Sequence, residues 1–230
     1  MNYLFVGYSE IASEIIKLIK STSNKIFILT RKDIDNGDIT SLKCDLSRQN
    51  DITSCLDKIP EIPDIIICTS GMLYDNKNQP EKKLESFNTD WFFKSLEVNT
   101  LPSLFVAQYY TKKMSNQSSI NMFCFSARVG SIDDNKKGGW YSYRVSKSAL
   151  NMIIKNISIE WNLRFPKSFI YGYHPGTVST NSFSEYQKNT PKDTIQTPKQ
   201  AAQKFLDFMK NAKPTQSGYI YDWENKIIRY

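Results

Sequence analysis

The chain has 230 residues, 40% of them hydrophobic and 13% aromatic, which is enough for one substantial core, and nine Gly with nine Pro exclude collagen-like or low-complexity architecture. Its 30 basic against 23 acidic residues leave a charge of +7, but the pairs Arg31/Lys32, Lys82/Lys83, Lys112/Lys113 and Lys136/Lys137 are scattered. Without a basic stripe, aromatic interleaving or zinc-finger spacing, nucleic-acid binding is not expected.

The opening MNYLFVGYSE lacks the basic start, apolar stretch and small-residue cleavage site of a signal peptide. No apolar run approaches a membrane span, so a cytosolic chain without a transmembrane segment is expected. Cys44, Cys55, Cys68 and Cys124 form no CxxC pair and read as buried, reduced thiols, with neither a zinc site nor a disulfide framework.

In chain order, an apolar run at 3–6 is followed by Ile11, Ala12, Ile15, Ile16 and Ile19 at helical spacing. Further strands are expected at 26–29, near Leu42, and at 63–68, 120–125 and 168–173, with helices near 48–57, 88–113, 142–163 and 198–210. Apolar strands that lack polar alternation and are separated by helices imply a parallel sheet buried on both faces. The expected class is therefore α/β, a single-domain, Rossmann-type, doubly wound parallel sheet of about seven strands with helices on both faces. In such a sheet ligands bind beyond the carboxyl ends of the strands, at the switch point near the first strand.

Residues placed there can be read chemically. The first strand runs into Gly7-Tyr8-Ser9-Glu10-Ile11-Ala12, where Ser9 is suited to cap a helix whose amides would face an anion. The second ends at Thr30-Arg31-Lys32, and a basic residue there suits a 2′-phosphate, favouring NADP(H) over NAD(H). Tyr143 and Lys147, in YSYRVSK, lie four apart on one helix face; a neighbouring ammonium lowers a phenol's pKa and suits it to acid–base work on a carbonyl/alcohol pair. His174 is the only histidine, which excludes a two-histidine metal site, and with Tyr143 suited to the proton transfer it is read in a packing or hydrogen-bonding role. No metal site is expected.

The block SARVGSIDDNKKGGWYSYRVSKSALN (126–151) resembles the active-site segment of short-chain dehydrogenases/reductases, in particular the branch related to bacterial C-factor. FVGYSEIA, CDLS, CTSGMLYD, PEK, EVNT, HPGTVST and SGYIYD match in order along the chain. The resemblance implies Tyr143 as proton donor, Lys147 as the holder of the nicotinamide ribose, and Asn99 as a residue that helps place a water beside that lysine. It implies cofactor contacts from Gly7, Ser9, Glu10 and Ile11 in the first turn, from Arg31 and Lys32, from Asp45 and Leu46, and from Ser70, Gly71 and Met72. It adds Pro175, Gly176, Thr177, Val178 and Thr180 on the nicotinamide side.

The family's serine is expected three residues before Gly130, where this chain has Ala127. Ser126 is assigned that role, with Ser131 as the other candidate. Residues 181–196 read as a lid loop, and Phe183, Tyr186, Trp140, Tyr141 and Met72 as an apolar substrate wall. The expected function is an NADP(H)-dependent oxidoreductase acting on a small carbonyl/alcohol substrate. The alternative is a catalytically weak sensor or signalling protein, which the sparse first glycine loop and Ala127 suggest. Apolar surplus on the helices at 88–113 and 142–163 predicts a homodimer or homotetramer.

Overall fold

The computed structural model describes residues 1–21, 23–34, 39–180, 191 and 194–230. In chain order these form β1 (Asn2–Val6), α1 (Glu10–Ile19), β2 (Lys25–Thr30), β3 (Ile39–Lys43), α2 (Gln49–Leu56), β4 (Ile65–Cys68), α3 (Thr89–Asn99) and α4 (Leu101–Thr111). They continue with β5 (Asn121–Phe125), α5 (Tyr141–Arg164), β6 (Phe169–His174), β7 (Thr177–Val178), β8 (Ile195–Gln196), α6 (Pro198–Asn211), β9 (Ile220–Asp222) and β10 (Ile227–Ile228).

Eight strands make one sheet in the order β10-β9-β6-β5-β4-β1-β2-β3, parallel except for β10. The chain reverses its direction of travel between β3 and β4, so the switch point lies between β1 and β4. The period-2 alternation of strand side chains divides the core. Leu4, Val6, Ile66, Cys68, Met122 and Cys124 face one way, into a cluster with Val106, Ile154 and Trp161. Tyr3, Phe5, Ile65, Ile67, Phe123 and Phe125 face the other, against Ile15, Ala202 and Phe205. All four cysteines are buried free thiols.

Two expectations are adjusted, and a third falls largely outside the described residues. The sheet has eight strands rather than about seven; the additions are β9 and β10, of three and two residues, too short to carry a period of their own. The helix at 88–113 is two helices: Pro102 at the start of α4 has no N–H to continue α3, and Thr100 leaves helical geometry at φ −122°. Most of the anticipated lid at 181–196, with Phe183 and Tyr186, lies outside the described residues; Ile195 and Gln196 form β8, paired with β7. Among the described residues no helix is long and apolar enough to cross a membrane.

Candidate functional site

At the end of β1 the backbone turns sharply. Gly7 has φ +97°, and a Cβ on it would lie 2.9 Å from the Ser70 amide, so the loops after β1 and β4 touch only because glycine stands there. Ser9 then caps α1, its Oγ accepting from the Ala12 amide at 3.1 Å. The helix N-terminus therefore opens onto a cleft of about 490 Å³ over the switch point.

That cleft brings together Gly7, Ser9, Arg31, Lys32, Asp45, Leu46, Ser70, Gly71 and Met72. Asp45 is held in place by Ser47, whose Oγ and amide donate to it at 2.7 and 3.1 Å and keep its carboxyl below the usual range. Lys32 lies 5.9 Å from the Tyr8 ring centroid. Glu10 and Ile11 do not line the cleft; Ile11 is packed in the core beneath α1. Lys94, Glu97 and Val98 of α3 do line it, a face that sequence reasoning did not anticipate.

Beyond Gly71 the cleft meets the Tyr143–Lys147 pair. A Cβ on Gly71 would lie 3.4 Å from Lys147 Nζ and 3.2 Å from Asn99 Oδ1. Tyr143 and Lys147, one turn apart on α5, are both buried, with Nζ 5.8 Å from the Tyr143 ring centroid. Nζ donates to the Phe125 carbonyl at 2.9 Å, and burial holds the ammonium down to a pKa of about 8. Burial pushes the Tyr143 phenol well above its ordinary value. The lowering of the tyrosine by its lysine, expected from spacing, is thus not met here, because desolvation of the phenolate is the stronger effect.

Asn99 joins three elements. Its Oδ1 accepts from the Met72 amide at 2.7 Å, and its Nδ2 donates to the Met72 carbonyl at 3.0 Å and to Ser146 Oγ at 2.9 Å. It thereby ties the loop after β4 to α3 and α5.

The assigned serine goes elsewhere. Ser126 Oγ donates to Asn151 Oδ1 at 2.5 Å, and Asn151 lies two α5 turns past Tyr143, about 12 Å along the helix axis. Ser131 Oγ accepts from the Asp134 amide and closes a turn. Ala127 is the residue packed on Tyr143, in a wall with Leu73 and with the half-buried Tyr74, Val129 and Trp140. The Trp140 and Tyr143 rings lie 6.2 Å apart. Trp140 was anticipated in this wall. Leu73, Tyr74 and Val129 were not, although each lies within a quoted motif.

The segment 175–180 lies beyond β6 and outside the 490 Å³ cleft. Gly176 has φ +80°, and a Cβ there would collide with Gln196 and Trp223; Gln196 also donates to the Pro175 carbonyl at 2.8 Å. Thr177 and Val178 form β7, and the Thr180 amide donates to the Val178 carbonyl. His174 packs edge-on against Trp223 at 5.4 Å; burial, with the Arg128 and Lys147 cations nearby, pushes its pKa down to about 3. The loop carrying Ala127 is braced by Arg128, which pairs with Asp134 at 2.7 Å and with buried Asp222 of β9 at 2.6 Å. Among the described residues no group of three or more His, Cys, Asp or Glu is placed to hold a metal.

No family model matches the chain. Over 145 residues it is 29% identical to 1-hydroxy-2-glutathionyl-2-methyl-3-butene dehydrogenase of Rhodococcus sp. (strain AD45), a match spanning 63% of this chain and 61% of that protein. Over 104 residues it is 33% identical to C-signal of Myxococcus xanthus, spanning 45% and 57%. Both matches thus span less than two thirds of the relative's own length.

Among solved structures, the chain is similar to NADPH-bound carbonyl reductase from chicken fatty liver, at TM-score 0.83 and 18% identity over 99% of this chain and 98% of that one. It is also similar to a short-chain dehydrogenase family protein of Francisella tularensis, at TM-score 0.76 and 19% identity over 96% of each chain. The structural likenesses carry the fold. In sequence the chain is similar to these relatives, and in fold it is similar to short-chain dehydrogenases/reductases.

Proposed function

We propose that the protein transfers a hydride between NADP(H) and a small carbonyl/alcohol substrate, with Tyr143 as general acid/base. The observation that carries this reading is the junction at Gly71, where a cleft that begins at Arg31 and Lys32 reaches a buried tyrosine–lysine pair. The cleft volume lies within the range of about 300–1,000 Å³ usual for small-molecule and cofactor sites. Its residues fit a dinucleotide: a glycine turn and helix N-terminus for the pyrophosphate, two cations for a 2′-phosphate, and a buried ammonium suited to sugar hydroxyls. The nicotinamide supplies the hydride chemistry when bound.

The chain's own residues orient the substrate and manage the proton. In the reductive direction Tyr143 Oη donates its proton to the oxygen that becomes the alcohol, and in oxidation it accepts one back. The elevated pKa of Tyr143 keeps the phenol protonated in the free protein, ready for the donating step. The wall of Leu73, Ala127 and Trp140 excludes water and selects an apolar group beside the carbonyl.

Replacing Tyr143 with Phe is expected to abolish turnover while NADPH binding, followed by fluorescence, stays within about twofold. Unchanged turnover in that variant, or tight NADPH binding without turnover by the wild type across a carbonyl panel, would overturn the reading. The preference for NADP(H) rests on Arg31 and Lys32 and predicts that Arg31→Glu weakens NADPH binding more than NADH binding. A dimer or tetramer is supported by Val145, Met152, Ile159 and Leu163, exposed along α5. A monomer in light scattering at micromolar concentration would exclude it.

A further inference from the structure

The most unusual charge near the site is Glu81. It is only 3% exposed, and none of the ion pairs among the described residues includes it. A buried carboxylate without a cation is costly unless amide or hydroxyl donors surround it. Here the donors belong to the start of α5. The Ser142 amide donates to both carboxylate oxygens at 3.3 Å, and Ser142 Oγ donates to Oε1. The Glu81 carbonyl accepts from the Trp140 amide at 2.5 Å.

Two local features explain why α5 needs this help. Its capping position is occupied by Trp140, whose indole has no oxygen to accept from the helix amides. The chain also enters the helix through three consecutive left-handed residues, Gly138 (φ +62°), Gly139 (φ +64°) and Trp140 (φ +53°). The last of these is a bulky residue for which that conformation is unfavourable, so it persists only where neighbours hold it. Glu81 supplies both the missing cap and the hold, and its charge sits at the positive end of the helix dipole.

The geometry points to Glu81 as a positioning residue for Tyr143, the third residue of α5, which it fixes by capping the catalytic helix from the loop after β4. That loop also carries Leu73 and Tyr74, and its tip is knotted by Asp75, which accepts from the Lys77 and Asn78 amides and pairs with Lys94 of α3 at 3.0 Å. The Glu81 carboxylate thus caps the helix that carries Tyr143, while its backbone carbonyl holds Trp140 of the wall that the tyrosine faces.

The test compares Glu81→Ala, Glu81→Gln and wild type by amide hydrogen exchange resolved along the chain and by steady-state kinetics with NADPH and a reactive carbonyl. The kinetic arm rests on the oxidoreductase reading; the exchange arm does not. Glu81→Ala should raise exchange at 140–147 about tenfold with β4 and β5 unchanged, and lower kcat about tenfold with KM for NADPH held within about twofold. Glu81→Gln keeps an acceptor oxygen and should recover most of both losses. Unchanged exchange at 140–147, or a rise spread evenly over the sheet, would overturn the proposal. If the wild type turns over no carbonyl, the oxidoreductase reading falls while the exchange arm still decides the role of Glu81.

Discussion

Lys147 offers a quantitative test that needs neither substrate nor cofactor. In the unfolded chain its ammonium titrates at 10.5, whereas in the folded protein burial brings it down to about 8. Between those values the unfolded state binds more protons, so stability must rise with pH across this window. The depressed pKa is thus a penalty, present in full below pH 8 and relieved as the lysine deprotonates in both states. At about 1.4 kcal/mol per pH unit, the penalty is roughly 3 kcal/mol at pH 7 and roughly 1.4 kcal/mol at pH 9.5. Lys147→Met removes the titrating group but keeps the bulk. It also loses the 2.9 Å bond to the Phe125 carbonyl, a cost that does not vary with pH. The informative quantity is therefore the stability difference between wild type and variant, measured by urea unfolding at several pH values. It should move by about 2 kcal/mol in favour of wild type between pH 7 and 9.5. A difference constant within about 0.5 kcal/mol would refute the reasoning, since the lysine would then be solvated well enough to keep its ordinary pKa.

The remaining predictions concern the residues around this pair. Ala127→Ser places a hydroxyl in the wall beside Tyr143 and should raise kcat at least about tenfold, a modest part of what an oxyanion donor contributes elsewhere; an unchanged kcat would mean that position 127 does not face the reacting oxygen. Arg128→Met leaves the buried Asp222 carboxylate without its cation and should lower stability by about 2 kcal/mol, visible as a lower urea midpoint. His174 stays neutral in the fold down to about pH 3 but takes a proton below about 6.5 when unfolded, so stability falls as pH drops through that range. His174→Gln should remove about 1–2 kcal/mol of that loss at pH 5, and a variant as acid-sensitive as wild type would count against an imidazole held neutral by the fold.

Much of the fold was legible because two-sided burial writes the inner strands as unbroken apolar runs, as in Ile65–Cys68 and Met122–Phe125. The Tyr143–Lys147 spacing was legible for a similar reason: helical geometry alone puts positions four apart on one face. What stayed hidden depends on contacts between distant parts of the chain. Ser126 is drawn to Asn151, 25 residues away, and only the packing of β5 on α5 decides that. Glu81 lies 61 residues before the serine it bonds, in a loop with no periodicity. The phenol pKa of Tyr143 was misjudged because spacing reports a neighbouring charge but not the burial that outweighs it. The strand β10 owes its existence to pairing with β9 and has no pattern of its own.

The hold of β9 on the Ala127 loop also bears on the order of events during synthesis. β9 follows β1 to β5 and α5 in the chain, and the segment from β9 to Tyr230 contacts the loop twice: Asp222 of β9 pairs with Arg128, and the Asp133 amide donates to the Tyr230 carbonyl. A chain folding as it emerges can build β1 to β5 and pack α5 before either partner exists. The wall beside Tyr143 is then braced only after β1 to β5 and α5 are in place, so a nascent chain would form the cleft over the switch point before that wall is held.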